Sequence, residues 1–405
     1  MKKSYLMIAA AATMLTACMG NEMKNDIKNF GNSEITFSTY ASLQTKAGAE
    51  NSGQESKWDL ENHHDNFDVW AWKYYGGAWI STDVYDKGKV DYSSSAWTAT
   101  PVKFWDKSAE KYYFYAAAPH SDNWVLNSKY TASTNEVGNN AYLSYADFTL
   151  AGGATNNLSY NTTATVTSYV ESFKNVSDVD LMIAEDNEVL RATYNVPTVP
   201  AVNELFDHIL SRLNVTVALK DGGDLATNGA TVKVTNFGIT GVNLKNKGTF
   251  NENGAVATAP YTGEALSGGT TARWTSLETA NAPYDLPGAN ISTTTLTTSA
   301  LYIAQYLIIP QSITCEVLDR ANGKVNGTTD AAHPYFVISY TINNEPFTAY
   351  YNLANAFGKT STQTLPFNEG WQNTLNIKID ADIITFDAEV YKWDNNATHN
   401  VIIEE

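Results

Sequence analysis

The sequence predicts an all-β protein built as two tandem antiparallel β-sandwich domains, with one or two short helices. Three observations lead there. Short segments alternating apolar and polar residues with a period of two recur along most of the chain, the pattern of half-buried strands. Tyr (24) and Trp (10) are plentiful alongside Thr, Ser and Asn, as in sandwiches with wet outer faces. The 405 residues leave room for two sizeable cores, and Pro197 and Pro200 mark a linker near the middle.

The elements follow in chain order. Lys2 and Lys3 precede a mostly apolar run, residues 5–17. That run is well short of the ~20 residues that span a bilayer. It ends in Leu15-Thr16-Ala17-Cys18, which resembles the lipobox of bacterial lipoproteins. Residues 1–18 are therefore expected to be a lipoprotein signal peptide, with a diacylglyceryl group on the Cys18 thiol. Met19 follows, so the Asp that in some bacteria retains lipoproteins in the inner membrane is absent. Residues 19–46 read as a polar tether and then one isolated strand. Ile35, Phe37, Ala41 and Leu43 share a face of that strand, with Thr39 between them. Lys46-Ala47 follows in a small-residue stretch, a possible protease site.

Residues 47–200 are expected to form the first domain. Residues 67–72 alternate Phe67, Val69 and Ala71 against Asp68, Trp70 and Trp72. Residues 111–118 read as a buried strand stopped by Pro119, and Gly76-Gly77 and Lys87-Gly88 mark turns. Residues 122–178 look like long loops with minor apolar pieces, and 179–184 like a short strand. Residues 201–405 are expected to form the second domain. It opens on a helix near residues 203–213, where Leu205, Phe206, Ile209, Leu210 and Leu213 recur at helical spacing. Strands then follow at 215–219, 231–242, 300–309, 336–342, 348–353, 375–379 and 384–390.

Composition excludes several function classes. The chain carries 43 acidic and 26 basic residues, a net charge of −17. Loss of Lys2 and Lys3 leaves 24 basic residues against 43 acidic, or −19. Such a charge repels nucleic acid and anionic lipid headgroups. With Cys18 lipidated, Cys315 has no partner for an intrachain disulfide and reads as a small buried hydrophobe.

Catalytic chemistry is weakly signalled. Asp59, Glu61, His63, His64 and Asp65 could supply metal ligands, but adjacent histidines on a strand face opposite ways and no second cluster completes a site. A solvated loop is the simpler reading, so no metal and no cofactor are expected. His208 and Arg212 could pair functionally, yet a packed histidine at a domain start accounts for the pattern. No G-x-S-x-G, phosphate loop, CxxC or EF-hand spacing occurs. The chain is therefore read as a non-enzyme. Trp70, Trp72, Trp79, Trp97, Trp105 and Trp124 could stack on sugar rings if exposed, although their alternation favours a core role.

Several segments resemble the fimbrillins, the type V pilins of Bacteroides-type bacteria that include Mfa-like lipoproteins. Asp68-Val69-Trp70-Ala71-Trp72, Lys103-Phe104-Trp105 and Tyr112-Tyr113-Phe114-Tyr115-Ala116 are similar to their first domain. Asp180-Leu181-Met182 resembles their "DLM" segment, and residues 206–213 their "FxHxLSR" segment. Leu307-Ile308-Ile309-Pro310-Gln311 and Gly370-Trp371 match later elements. The matches run in order through nearly the whole chain after the signal peptide.

The resemblance implies two transthyretin-like β-sandwich domains and assembly by strand exchange. A lipidated precursor would pass through the periplasm to the outer membrane. A trypsin-like protease would then remove the strand bearing Ile35, Phe37, Ala41 and Leu43. A C-terminal strand of a neighbouring subunit, from residues 384–405, would fill the groove. Ile384, Phe386 and Val390 alternate there, and Val401 and Ile403 do so again. The implied partners are copies of the chain, other pilus subunits, outer-membrane lipid through Cys18, the protease, and host or bacterial surface ligands. One departure stands out: many fimbrillins are cut after arginine, and here no arginine precedes Arg191. Either another protease acts at Lys46, or the strand stays, as would suit an anchor subunit or a standalone surface lipoprotein. A stalk subunit is the expected role, because a C-terminal donor strand is available; a pilus anchor or tip subunit and, from a different class, a surface glycan-binding lipoprotein are the alternatives.

Overall fold

The structure is a computed structural model that describes residues 33–41, 66–80, 84–94, 96–127, 141–150, 180–196, 198–240, 244–253, 273–278, 294–315, 317, 334–357, 363–381 and 384–392. The first half holds strands β1 (Phe37–Ala41), β2 (Asn66–Tyr75), β3 (Ala78–Trp79), β4 (Tyr85–Ser93), β5 (Ala96–Thr100), β6 (Lys111–Ala118), β7 (Trp124–Asn127), β8 (Tyr142–Thr149) and β9 (Met182–Leu190). Helix α1 (Arg191–Tyr194) leads to β10 (Val202–His208) and β11 (Ser211–Leu219). Then come α2 (Asp224–Thr227), β12 (Val232–Thr240), β13 (Lys247–Asn251), β14 (Trp274–Glu278), β15 (Leu301–Ile308), β16 (Gln311–Cys315), β17 (Tyr335–Ile342) and β18 (Glu345–Asn352). The chain continues through α3 (Leu353–Ala356), β19 (Gln363–Phe367), β20 (Trp371–Ile379) and β21 (Ile384–Lys392). It is all-β, as the alternation implies.

The first sheet has the order β3-β2-β4-β5-β1-β10-β9-β6, and β6 pairs again with β2. Seven strands thus close into a ring. Its interior is aromatic. Phe37 of β1 meets Phe67 of β2 at 5.8 Å and Phe114 of β6 at 6.1 Å between ring centroids. Phe67 meets Phe206 of β10 at 5.3 Å. At one end Trp105 stacks on Tyr194 at 4.6 Å, and the Tyr194 hydroxyl donates to the Ala109 carbonyl (2.7 Å), which holds α1 on the ring.

Strand β2 is buried on both faces from Phe67 to Trp72. Phe67, Val69 and Ala71 fill the ring, while Trp70 and Trp72 belong to a second, larger core shared with the C-terminal half. Its alternation therefore separates two cores rather than core from water. Gly76 and Gly77, at φ +63° and +81°, make the expected tight turn between β2 and β3. Lys87-Gly88 is no turn. It lies within β4, with Lys87 at φ 61°, and a Cβ on Gly88 would come within 2.6 Å of the Tyr85 ring. Such a kink is a bulge, and the β2–β4 register shifts beside it.

The second half holds a four-stranded sheet, β15-β11-β20-β21, a three-stranded sheet, β12-β17-β18, and the pair β16-β19, whose buried residues share one core. All nine residues of β11 are buried. Strands β7 and β8 leave the first half to join β13 and β14 in a further four-stranded sheet.

Three expectations need correction. The helix near residues 203–213 is two strands. Val202, Glu204, Phe206 and His208 are buried in strict alternation, and Leu205 is 50% exposed. A half-buried strand runs through Ile209-Leu210 into a fully buried one, and the combined pattern mimics helical spacing. The division at 200/201 falls inside the first sheet, because β10 pairs with β1 and β9. Sheet pairing is also mixed: β1 runs parallel to β10, and β11 parallel to β20. Parallel neighbours need a long crossover, and each of these pairs is joined through most of a domain.

Candidate functional site

Strand β1 and the slot it occupies form the candidate site. β1 is the seventh stave of the ring. On one side it pairs with β10 through five registered positions, from Phe37–Val202 to Ala41–Phe206. On the other, Phe37 pairs with Trp97 of β5, and the contact continues through Ile35 N–H to the Lys103 carbonyl (2.9 Å) and Trp105 N–H to the Ser33 carbonyl (3.0 Å). Ile35 and Phe37 are buried at 1% and 4% exposure. Burying two side chains of this size contributes about 1.5–3 kcal/mol each. Without β1, both β5 and β10 would present unpaired backbone beside an apolar slot, a template for another strand.

The slot is not wholly apolar. Glu204 of β10 is fully buried between Val202 and Phe206, opposite Thr39 of β1. Neither Glu204 oxygen, nor the Thr39 hydroxyl, has a hydrogen-bond partner of good geometry. The Asn187 amide is close enough to favour the carboxylate slightly, but it donates to the Asn203 carbonyl at 2.9 Å. Burial dominates and pushes the Glu204 carboxyl up to about 8. Sequence reasoning missed Glu204 because the helical reading of 203–213 hid the strand parity that points it inward. Its position between Val202 and Phe206 was the available signal.

Asp180 and His208, from the "DLM" and "FxHxLSR" segments, meet at 2.7 Å (Nδ1 to Oδ2), both buried. Ile209 N–H donates to the Leu181 carbonyl (3.1 Å) beside them. His208 is thus a packed, carboxylate-paired residue at the junction of the halves. A second pair joins His120 Nδ1 to Asp68 at 2.6 Å. Ser121 lies beside it, but gives its backbone N–H to Asp68 (3.1 Å) and its hydroxyl faces Tyr145 Oη (3.1 Å). The trio ties the 119–123 turn to β2 and aims no nucleophile at the imidazole.

Trp70, Trp72, Trp79, Trp97, Trp105 and Trp124 are all 6% exposed or less, so none offers a face to a sugar. The glycan-stacking role considered for them is overturned, because each packs into one of the two cores. Cys315 is fully buried, and burial pushes its thiol up to about 12. Ile384, Phe386 and Val390 lie in β21, registered against Ile379, Ile377 and Asn373 of β20. Ala41 ends β1. Cys18, Leu43, Lys46, Ala47, Val401 and Ile403 lie outside the described residues, as do Asp59, Glu61, His63, His64 and Asp65.

The chain is similar to known fimbrial proteins. The family model described as "Fimbrillin-like" matches residues 45–393. Fimbrium subunit Fim1C of Phocaeicola vulgatus is 23% identical over 437 residues, covering 100% of this chain and 99% of that protein. The crystal structure of a fimbrial protein from Bacteroides vulgatus aligns with a TM-score of 0.45 and 16% identity, over 89% of this chain and 100% of that one. The tip fimbrial protein Mfa3 from Porphyromonas gingivalis, with a C-terminal truncation, aligns with a TM-score of 0.33 and 9% identity, over 83% and 96%. With a family model matching most of its length, this chain belongs to the fimbrillin-like family.

Proposed function

We propose that this chain is a structural subunit of a surface fimbrium in which β1 is a replaceable stave. Membership of the fimbrillin-like family supports a structural role in a pilus. The observation that carries the finer reading is the place of β1: it closes the ring between β5 and β10, and it precedes every other strand of that ring in the chain. A single cut between β1 and β2 would leave it held only by side-chain packing and backbone pairing. Lys46-Ala47 lies in that connection and is the bond we assign to a trypsin-like protease.

The same reading makes Cys18 the lipid attachment that delivers the precursor to the outer membrane. A second copy, or another pilus subunit, supplies the replacing strand from residues 384–405. Because β21 is paired along its whole length with β20, we assign donation to the segment beyond Lys392, where Val401 and Ile403 alternate. The assembled fimbrium would then present adhesive surfaces to host or bacterial ligands. An anchor or tip subunit that keeps β1 is the other reading, favoured by the absence of arginine before Arg191.

A tether test separates them. Ser38 and Asn203 are registered neighbours whose side-chain oxygens lie 3.2 Å apart. A Ser38→Cys/Asn203→Cys disulfide would lock β1 in place, since adjacent strand positions suit disulfide spacing. After cleavage at Lys46, the oxidised protein should stay monomeric and the reduced protein should polymerise. Equal polymerisation of both forms would overturn strand replacement.

A further inference from the structure

The slot beneath β1 contains an acid that β1 does not serve. Thr39 sits opposite Glu204, both are fully buried, and neither finds a hydrogen bond of good geometry. Ile35 and Phe37 are buried in the apolar part of the slot, whereas the Thr39–Glu204 register pairs two buried polar groups that do not satisfy each other. A strand that placed a hydrogen-bonding group there would gain an interaction that β1 forgoes, since unsatisfied buried polar groups are costly.

The 13 residues after β21 carry a matching pattern. Read backwards, Ile403, Val401, His399 and Ala397 repeat at alternate positions the order Ile35, Phe37, Thr39, Ala41. Alternate residues of an extended strand face one side. Read forwards, with Val401 and Ile403 in the places of Ile35 and Phe37, Glu405 would meet Glu204. Two acids in one buried site repel. Charge therefore selects the reversed orientation, antiparallel to β10, where β1 itself is parallel.

Resting on the strand-replacement reading above, we infer that Glu204 is the recognition residue of the slot, and that it receives His399 from the tail of a second copy entering antiparallel to β10. The protonated carboxyl donates to the imidazole, or the proton passes to the ring; either way both groups gain a partner inside the ring. Glu204 thereby sets the register and direction of the incoming strand, while Ile403 and Val401 supply the apolar contact.

The test measures the polymerisation rate of the mature chain after cleavage at Lys46. His399→Leu is the decisive variant, because a purely apolar slot would accept leucine at least as well. His399 follows β21 in the chain and is not among the described residues, so an unchanged urea midpoint for His399→Leu is the check that the core is intact. His399→Leu should polymerise about ten- to a hundred-fold more slowly, the range for losing a hydrogen bond to a charged group. Glu204→Gln combined with His399→Leu should be no slower than Glu204→Gln alone. A His399→Leu rate equal to or above wild type overturns the inference but leaves strand replacement standing. Failure of the cleaved wild-type protein to polymerise overturns both.

Discussion

Phe37→Ala tests whether β1 is a true stave of the ring. Phe37 is 4% exposed and meets Phe67, Tyr85 and Phe114 at centroid distances of 5.8, 6.0 and 6.1 Å. Its removal loses the transfer energy of a buried ring and leaves a cavity walled by stiff aromatics that cannot collapse into it. Core Phe→Ala changes of this kind cost about 3–5 kcal/mol. A domain has about 5–15 kcal/mol in total, so the loss should be plain in urea unfolding. It should also be local. On the strand-replacement reading β1 detaches without unfolding the C-terminal core, so amide exchange should rise chiefly in residues 33–41 and in their partners on β5 and β10. At about 1.4 kcal/mol per factor of ten, the expected rise is about a hundred- to several-thousand-fold. Leu205→Ala, on the neighbouring strand β10 but half exposed, is the control and should cost well under about 1 kcal/mol. A Phe37→Ala loss no larger than the control's would refute the placement of β1 inside the ring. A rise in exchange spread evenly over β11 and β20 would refute its independence.

Three further outcomes follow. Burial raises the Glu204 carboxyl from its ordinary 4.5 to about 8, so the native state keeps a proton that the unfolded chain releases. Its contribution is fully present below about pH 4.5 and is lost as pH rises to about 8, a change of at most about 5 kcal/mol at ~1.36 kcal/mol per pKa unit. Glu204→Gln should flatten that part of the pH dependence of the urea midpoint; an unchanged slope would contradict the burial of the acid. Asp180→Ala should cost about 3–5 kcal/mol in urea unfolding by stranding buried His208, and a loss below about 1 kcal/mol would mean the pair does not hold the junction. Cys315, buried and with its thiol pushed up to about 12, should resist iodoacetamide at pH 8 until the C-terminal half unfolds; rapid native-state labelling would contradict its position.

Much of the fold is legible where one face, or both, of a strand is apolar. Residues 111–118 give β6 with the same bounds, and the strands expected from residue 231 onward fall on β12, β15, β17, β18, β20 and β21. Polar strands are harder to see. β4 and β5 carry Asp, Lys, Ser and Thr on their outer faces, and their parity is broken by the bulge at Lys87-Gly88. The junction at Ile209-Leu210 hides a strand pair behind helical spacing because burial changes from one-sided to two-sided there. The sharing of β7 and β8 with β13 and β14 has no local signal, since pairing partners lie about a hundred residues away. For the site, Ile35 and Phe37 were readable from alternation. Glu204 was not, because a lone acid reads as exposed until its strand parity is known.

The most direct measurement is mass spectrometry of subunits recovered from polymer formed by the mature chain after Lys-specific proteolysis. Strand replacement predicts polymer subunits that begin at Ala47 and lack residues 33–41, with those residues found only in the unpolymerised fraction. Polymer whose subunits still carry Ile35 and Phe37 would contradict it.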